Sequence, residues 1–380
     1  FKYWLAQLSA GAAAGATYLA MFAPRTASLE PVAPFDPFHA LLVEAIYTGV
    51  LCFVVLNCAV CRRNNPTTDG NQFFALAIGF VIIAGGYAAG GIPGACFNPA
   101  VAFGVDIKHA GLHWGAAWAL AEMAGAAAAV AFYVLLRPDE KKSGDEFDNY
   151  KPSLMTRCLS EFLGVFVLVL TVGLNVVMGS TAVAWSAAAS LTFMTYALGN
   201  VSGAHFNPAV TLAVAASGRN KCSAKDAVAY VIAQMLAGVA AGLTVGSFHA
   251  AGPSRDRRFV LAPGSGYSAT AAGFCECFFT FVLCCVVLAV ATAKAPPSLR
   301  TQQNFQSGLA IGSCVTAGGF AVGAVSGGLL NPAVAIGISA QALSLGSFLT
   351  LALWELTGAL LAAMVFRLTH PTEYASAAKV

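Results

Sequence analysis

Long apolar stretches separated by short polar breaks run along the whole chain. Three shorter apolar segments begin at Asn98, Asn207 and Asn331, and at about ten residues each they are too short to cross a bilayer. Ten further stretches approach the roughly 20 residues that a spanning helix needs. They lie near 2–22, 38–60, 72–90, 113–136, 154–178, 183–201, 225–249, 267–293, 304–324 and 344–368. The pattern predicts an all-α membrane protein with ten transmembrane helices and three half-spans.

The triplet Asn-Pro-Ala opens each of the three short segments, at 98–100, 207–209 and 331–333. Proline suits the first turn of a helix, where its missing N–H would be unpaired anyway, and the preceding Asn can cap that helix. Irregular backbone at membrane depth is tolerated only inside protein or beside a water-filled cavity. Two such half-helices meeting at mid-membrane would point their positive dipole ends at a pore, which disfavours cations and admits neutral solutes.

Composition supports a membrane location and argues against other classes of protein. The chain is 58% hydrophobic and 10% charged, against roughly 25% charged in soluble domains. Its net charge of +3 is too small to indicate nucleic-acid binding. The eleven cysteines lie mostly in apolar spans and are interpreted as packing residues, so no metal and no cofactor are predicted. We find no nucleophile–base pair or phosphate-binding loop that would indicate an enzyme.

Internal repetition organises the chain. At an offset of 233 residues, the sequence Leu-Ala-Ile-Gly at 76–79 recurs at 309–312, and Glu122 recurs as Glu355. Further upstream the spacing changes slightly, so that Glu44 pairs with Glu276. The first part of the chain is therefore a duplicate of its last part.

This repetition divides the chain into two units joined by a linker. The predicted segments are a partial unit at 1–137, a charged cytosolic linker at 138–153, a complete unit at 154–370 and a C-terminal tail at 371–380. Basic residues in the short loops are more numerous on the linker side, although the cluster at 255–258 argues the other way. We expect the linker and both ends of the 380-residue chain to face the cytosol.

One stretch of the second unit resembles a known family. The run Ser-Gly-Ala-His-Phe-Asn-Pro-Ala-Val at 202–210 is similar, almost letter for letter, to the first signature of the aquaporin (major intrinsic protein) family. The resemblance covers 154–370 as a complete six-span unit and 1–137 as the last four spans of another. It implies an aquaporin-like inverted repeat, in which each half carries three spans and one half-helix.

The resemblance leaves the first unit without a partner for Asn98. Two spans and one half-helix would be missing from it, and the chain begins at Phe1. One hypothesis is an upstream segment that completes the unit. The alternative is a genuine half-unit that has no pore of its own.

The resemblance also implies roles for particular residues. Asn207 and Asn331 would lie at the centre of the complete pore, and Asn98 would hold the same position in the partial unit. Residues that resemble the family's pore lining are Gly203, His205 and Gly327, although a lone histidine could simply be a packed, hydrogen-bonded side chain. Buried glutamates that resemble the family's braces of the re-entrant loops are Glu161, Glu276 and Glu44.

The sequence departs from the family at the filter that selects solutes. Family members usually carry Arg three residues after the second Asn, where this chain has Val334 and, in the partial unit, Val101. Without a guanidinium the filter is expected to be wide and apolar, and charge exclusion is left to the half-helix dipoles. The filter positions by family spacing are Ala187, Gly319, Gly328 and Val334 in the complete unit, and Gly86, Ala95 and Val101 in the partial one.

These features indicate a passive channel in a lipid bilayer for water or small neutral solutes. Ala335, where glycerol-conducting relatives usually have Asp, does not support a standard glycerol channel. The alternative is a non-conducting structural subunit of a larger membrane assembly, plugged by bulky neighbours such as Phe193, Phe206 or Phe320. Because family members commonly assemble as four units, a dimer of tandem chains is expected. Other membrane subunits stay open as partners.

Overall fold

The computed structural model describes residues 1–66, 71–107, 113–256, 259–294 and 306–375. Within these ranges the chain folds into α-helices with short 3₁₀ and π turns and contains no strand. The α-helices are α1 Lys2–Phe22, α2 Pro37–Val55, α3 Phe74–Ala89, α4 Pro99–Val105, α5 Trp114–Leu136, α6 Asp145–Asp148, α7 Leu154–Val177, α8 Val183–Ser202, α9 Pro208–Ala216, α10 Ala224–Ala251, α11 Ala269–Val287, α12 Ser307–Ser326, α13 Pro332–Gln341, α14 Phe348–Thr369 and α15 Thr372–Ala375.

Local sequence explains where many of these helices begin. A serine side chain caps α7, α10 and α11: Ser153, Ser223 and Ser268 each accept a backbone N–H three residues on, at 3.1 Å. Such caps satisfy one of the N–H groups that a helix start leaves unpaired. The repetition extends to helix ends, because α2 and α11 both run into a π-helical turn, at Leu56–Val60 and Leu288–Thr292.

Eight helices in the described ranges are long and apolar enough to cross a membrane. They are α1, α2 with its π turn, α5, α7, α10, α11 with its π turn, α12 and α14. Two of the ten predicted spans, α3 and α8, fall outside this group, α3 because it has only 16 residues. In its described ranges the chain is therefore an all-helical, multi-pass membrane protein. Helix length and hydropathy identify eight candidate membrane crossings and leave α3 and α8 unassigned.

The three short helices α4, α9 and α13 have 7, 9 and 10 residues. Two of them lie backbone to backbone against a long helix, α13 against α10 and α4 against α1. At each contact a Cβ added to a glycine would lie 2.1–2.4 Å from a carbonyl oxygen of the short helix, so only glycine fits. The pairs are Gly238 with Ala333, Gly242 with Gly337, Gly11 with Ala100 and Gly15 with Gly104. The first unit therefore repeats the packing of the second.

The two units meet along α2 and α3 of the first and α7 and α8 of the second. The Tyr47 hydroxyl lies 2.9 Å from the Thr171 hydroxyl, and Ser186 Oγ donates to the Ala84 carbonyl at 3.0 Å. At the end of α5, the buried Arg137 donates through Nη2 to the Ala197 carbonyl at 2.8 Å. Hydrogen bonds between buried polar groups fix the relative position of the two units.

The stretch predicted as a linker, 138–153, folds back on the loop that follows α2. Arg63 Nε donates to Oδ2 of the buried Asp139 at 3.0 Å. The ring of Phe147 lies 4.1 Å from the guanidinium carbon of Arg62 and 4.3 Å from that of Arg63, which are cation–π distances. This stretch therefore connects the units through specific contacts as well as through the chain.

A glycine substitution tests the close approach of α10 and α13. We expect Gly242→Ala to destabilise the protein by about 1–3 kcal/mol, because its Cβ would overlap a backbone oxygen. The matched control is Gly79→Ala in α3, where an added Cβ meets nothing within 4 Å. It should be neutral or slightly stabilising, since Ala favours helix over Gly by about 1 kcal/mol. Thermal unfolding in detergent measures both, and equal stability of the two variants contradicts the packing.

Candidate functional site

Three loops with one backbone conformation lead into α4, α9 and α13. In each loop the residues four, three and one positions before the Asn have positive φ. They are Gly94, Ala95 and Phe97, then Gly203, Ala204 and Phe206, then Gly327, Gly328 and Leu330. This region is unfavourable for residues other than glycine, at about 1–3 kcal/mol each, and persists only where surrounding contacts impose it.

Two buried glutamates supply such contacts in the second unit. Glu161 of α7 accepts the backbone N–H groups of His205 at 3.0 Å and Phe206 at 2.6 Å. Glu276 of α11 accepts those of Leu329 at 3.0 Å and Leu330 at 2.7 Å. Each also accepts a serine hydroxyl at 2.6 Å, from Ser202 and Ser326 respectively. In the first unit, Glu44 of α2 accepts the N–H of Phe97.

A further set of side chains supports the loops, and the sequence analysis gave these residues no role. Glu355 of α14 accepts the backbone N–H of Asn331 at 2.7 Å, and Glu122 of α5 accepts that of Asn98 at 2.7 Å. Gln234 of α10 donates from Nε2 to Glu161 at 2.8 Å. The available signal was the recurrence of Glu122 as Glu355, because a charged residue kept inside an apolar span needs a buried partner.

The asparagines at the starts of α9 and α13 bind across to each other's loops. Asn207 Nδ2 donates to the Leu330 carbonyl at 2.7 Å, and Asn331 Nδ2 donates to the Phe206 carbonyl at 2.9 Å. Each side-chain oxygen accepts a backbone N–H of its own helix, at 2.8 and 2.9 Å respectively. The two half-helices therefore meet at their N-terminal ends. Because an amide nitrogen carries two hydrogens, each Asn retains one N–H for another acceptor.

A cavity of about 360 Å³ runs past this junction. Both asparagines line it, together with the predicted positions Ala187, Gly319, Gly328, Val334, His205 and Gly327. Among its described lining residues none is Asp, Glu, Lys or Arg, and most are Leu, Val, Ile, Ala or Gly. Gly203 is exposed and is not part of the lining.

Glycine backbones form part of the cavity wall where the filter is predicted. A Cβ added to Gly319 would lie 2.6 Å from the Ala184 side chain, and one added to Gly328 would lie 2.9 Å from the Gly319 Cα. Here α12 therefore contacts the Ala184 side chain of α8 and the loop before α13, with no room for a side chain at either glycine. The bulky candidates for a plug do not line the cavity: Phe193 and Phe206 are fully buried, and Phe320 is 63% exposed.

His205 combines exposure to the cavity with a structural contact. It is 9% exposed, its Nδ1 lies 3.2 Å from the Thr211 hydroxyl, and its ring packs edge-on against Tyr230. Both interpretations offered by the sequence, a packed histidine and a lining one, therefore describe this side chain.

The first unit contains the counterpart of one side of this arrangement. Asn98 caps α4 by accepting the N–H of Ala100 at 2.9 Å. In the part of the chain that the structure describes, its Nδ2 has no hydrogen-bond partner, and Val101 is 45% exposed. The half-helix of the first unit therefore presents its start and its predicted filter residue on an open face.

The fold and this junction define a class of protein: an α-helical membrane protein in which two short helices meet at their N-terminal ends. The model of the major intrinsic protein family matches residues 1–133, 32–178 and 148–366. The chain belongs to this family. The family consists of passive channels and not of enzymes, in agreement with the sequence prediction.

Individual relatives match about half of the chain. Aquaporin NIP1-4 of Oryza sativa subsp. japonica is 35% identical over 193 residues, which are 47% of this chain and 64% of that protein. The glycerol uptake facilitator protein-like 6 of Lactiplantibacillus plantarum is 33% identical over 201 residues, 48% of this chain and 82% of that protein. The aquaglyceroporin from Plasmodium falciparum shares the fold, with a TM-score of 0.50 at 21% identity over 58% of this chain and 99% of that one.

Removing one brace tests how the loops are held. In Glu161→Gln an NH₂ group replaces one acceptor oxygen, so at least one backbone N–H faces a donor. We expect a loss of roughly 2–4 kcal/mol of stability, because an unsatisfied buried group and a charge-assisted bond are both involved. The matched control is Glu146→Gln in the linker, whose side chain is 76% exposed and which should unfold as wild type does. Equal melting temperatures of the two variants in detergent contradict the bracing role.

Proposed function

We propose that this protein is a passive membrane channel for water or small neutral solutes and that the second unit contains the pore. The observation that carries the proposal is the cavity along the junction of α9 and α13, with two amide donors and an otherwise apolar wall. A channel of this kind needs a route without charged side chains and a few hydrogen-bond donors at its narrow centre.

At the centre, Asn207 and Asn331 act as the solute's hydrogen-bond donors. Each has one N–H left after bonding to the opposite loop. The positive ends of two half-helix dipoles converge at the same place, so a cation meets an unfavourable field while a neutral acceptor such as water is stabilised. His205 adds a polar group on the side of the loop before α9.

The proposed filter is formed by Ala187, Gly319, Gly328 and Val334. None of these side chains can donate a hydrogen bond or carry a charge, so the filter selects by size and apolarity. Relatives named aquaporin and glycerol uptake facilitator support a substrate class of water or small neutral solutes. A filter of this kind favours solutes somewhat larger and less polar than water.

The proposal includes an arrangement in the membrane. All ten long helices, α3 and α8 included, cross the bilayer, while α4, α9 and α13 enter only part of the way. The linker and both ends of the described chain lie on one side, the cytosol, as the basic loops indicate. Two tandem chains form a four-unit assembly.

A second candidate function is that of a non-conducting subunit in a larger membrane assembly. Two observations favour it. Asn98 lacks the cross-loop partner that Asn207 and Asn331 have, among the residues whose positions are described. The contact of Gly319 with Ala184 and Gly328 also brings backbones close together at the filter.

Swelling of proteoliposomes distinguishes the two functions. Vesicles that contain the purified protein are mixed in a stopped-flow device with an osmolyte, and water and glycerol permeation are followed by light scattering. The channel predicts faster permeation than in empty vesicles for at least one of water, glycerol, urea and ammonia, each tested in turn. Permeation at the rate of empty vesicles for water, glycerol, urea and ammonia alike would falsify the channel function and favour the subunit.

Arginine at the filter tests the mapping of the constriction. We expect Val334→Arg to lower glycerol permeation by roughly tenfold or more, because a guanidinium fills and polarises an apolar filter, while water is affected less. The matched control is Val101→Arg at the equivalent slot of the first unit, which should leave both rates unchanged. If Val334→Arg changes neither rate in a conducting protein, Val334 does not lie at the constriction.

A further inference from the structure

A second cavity, of about 410 Å³, lies at the joint between the two units. We call it the joint crevice. Its walls are α2 and α5 of the first unit and α7 of the second, and Met194 of α8 forms its floor. The lining residues are Ala45, Ile46, Gly49, Val50, Phe53, Ala124, Gly125, Ala128, Ala129, Phe132, Phe162, Leu163, Phe166, Val167 and Met194. Every one of them is apolar.

The joint crevice occupies the half of the membrane next to the linker. Phe53 and Phe132 lie near the ends of α2 and α5, and Phe162 lies in the first half of α7, which begins where the linker ends. On its outer side the crevice opens past Ala124 and Ala128, which are exposed, while Met194 at its floor is 1% exposed. It therefore leads from the outer surface of the helices to the buried contact between the units.

Contacts within each wall of the joint crevice hold its helices in place. Helices α2 and α5 already touch, since a Cβ added to Gly125 would lie 2.1 Å from the Ala45 carbonyl. Phe162 and Phe166 of α7 stack with ring centroids 6.2 Å apart and hold the opposite wall. An unfilled space of this size would cost the dispersion contacts of all its lining atoms.

Size and chemistry select the occupant. One turn of helix, roughly 10 Å across and 5.4 Å long, has a volume of roughly 400 Å³, so a helix from another chain could place no more than about one turn inside the crevice. A polar solute or a loop would find no hydrogen-bond partner on these walls and would be penalised by several kcal/mol per group. A flexible hydrocarbon chain is thin enough for the crevice and needs no hydrogen-bond partner. The acyl chains of lipids also surround the protein at this depth.

We propose that the joint crevice binds one acyl chain of a membrane phospholipid. The chain enters from the leaflet on the linker side, between α5 and α7, and reaches Met194. It fills the gap between the units and thereby stabilises their joint, in addition to the polar contacts of Tyr47 and Arg137. The site is independent of the pore and of the proposed transport.

Lipid retention after purification tests the proposal. The full chain is purified in a mild detergent, and native mass spectrometry counts the phospholipids that remain bound. Wild type should retain one phospholipid per chain. Ala128→Leu places three further carbons in the crevice and should lower the occupancy by roughly tenfold, as expected for an overpacking penalty of about 1.4 kcal/mol.

The matched control is Ala127→Leu, which makes the same change on the neighbouring, exposed position of α5 outside the lining. It should retain the lipid as wild type does. Equal retention in Ala128→Leu and wild type overturns the proposal, and so does an equal loss in both variants, because that loss would come from lipid spread over the helix surface.

A second measurement does not depend on the folding of a variant. Wild-type protein is reconstituted with a phospholipid whose acyl chain carries a diazirine near its end, illuminated and digested. We expect the label on the peptides that contain Met194 and Phe166, at least tenfold above peptides from α14, although α14 is the more exposed helix. A label distributed in proportion to exposure, with none near the buried Met194, overturns the proposal.

Discussion

The structure depends on one constraint: the backbone of the loops before the short helices must find hydrogen-bond partners in the buried interior of an apolar protein. Glu161 and Glu276 meet this need in the second unit by accepting consecutive backbone N–H groups. With the loops held, residues such as Phe206 and Leu330 keep a positive φ that they would not adopt alone. Their carbonyls then receive the amides of the opposite asparagines, and the two half-helices meet. The cavity beside the junction exists because this contact leaves the helix starts facing one another.

The same loop conformation and support occur three times among the described residues, before α4, α9 and α13. In the first unit Glu44 and Glu122 hold the loop before α4 as Glu276 and Glu355 hold the loop before α13. Glycine contacts seat α4 on α1 in the way that α13 sits on α10. The difference lies in the asparagine side chains: Asn207 and Asn331 donate to each other's loops, whereas Asn98 Nδ2 has no hydrogen-bond partner among the described residues. The first unit is therefore built by the same rules, and it packs against α7 and α8 of the second.

That packing combines two kinds of contact. Tyr47 with Thr171, and Arg137 with the Ala197 carbonyl, give the joint a definite geometry. Beside these contacts a crevice separates parts of α5 and α7, and only apolar side chains border it. Inside a membrane such a gap need not be closed by protein, because hydrocarbon is available to fill it. A tandem protein can therefore pack its units directly along α3 and α8, fix them at a few polar points, and leave the crevice beside them to lipid.

Much of the site could be predicted from the chain, and the parts that were missed share a cause. A short helix begins at each of the three Asn-Pro-Ala triplets, and Glu161, Glu276 and Glu44 stood out as charges in apolar spans. Glu355 and Gln234 received no role because what they support lies in another segment. The contacts of 138–153 were missed because a charged run carries no sign of which surface it will meet. The filter assignment and the number of crossings stay predictions.

The sequence by itself determined the local features: apolar spans, proline-started half-helices, glycines at positive φ and the duplication, all of which follow from residue type and spacing over a few turns. Only the tertiary structure decided which groups meet. Asn207 and Leu330 are 123 positions apart in the chain, and Tyr47 and Thr171 are 124 apart. Such pairs form because burying a polar group without a partner is costly, and which partner is available depends on how all the helices pack together. Local spacing does not contain that information.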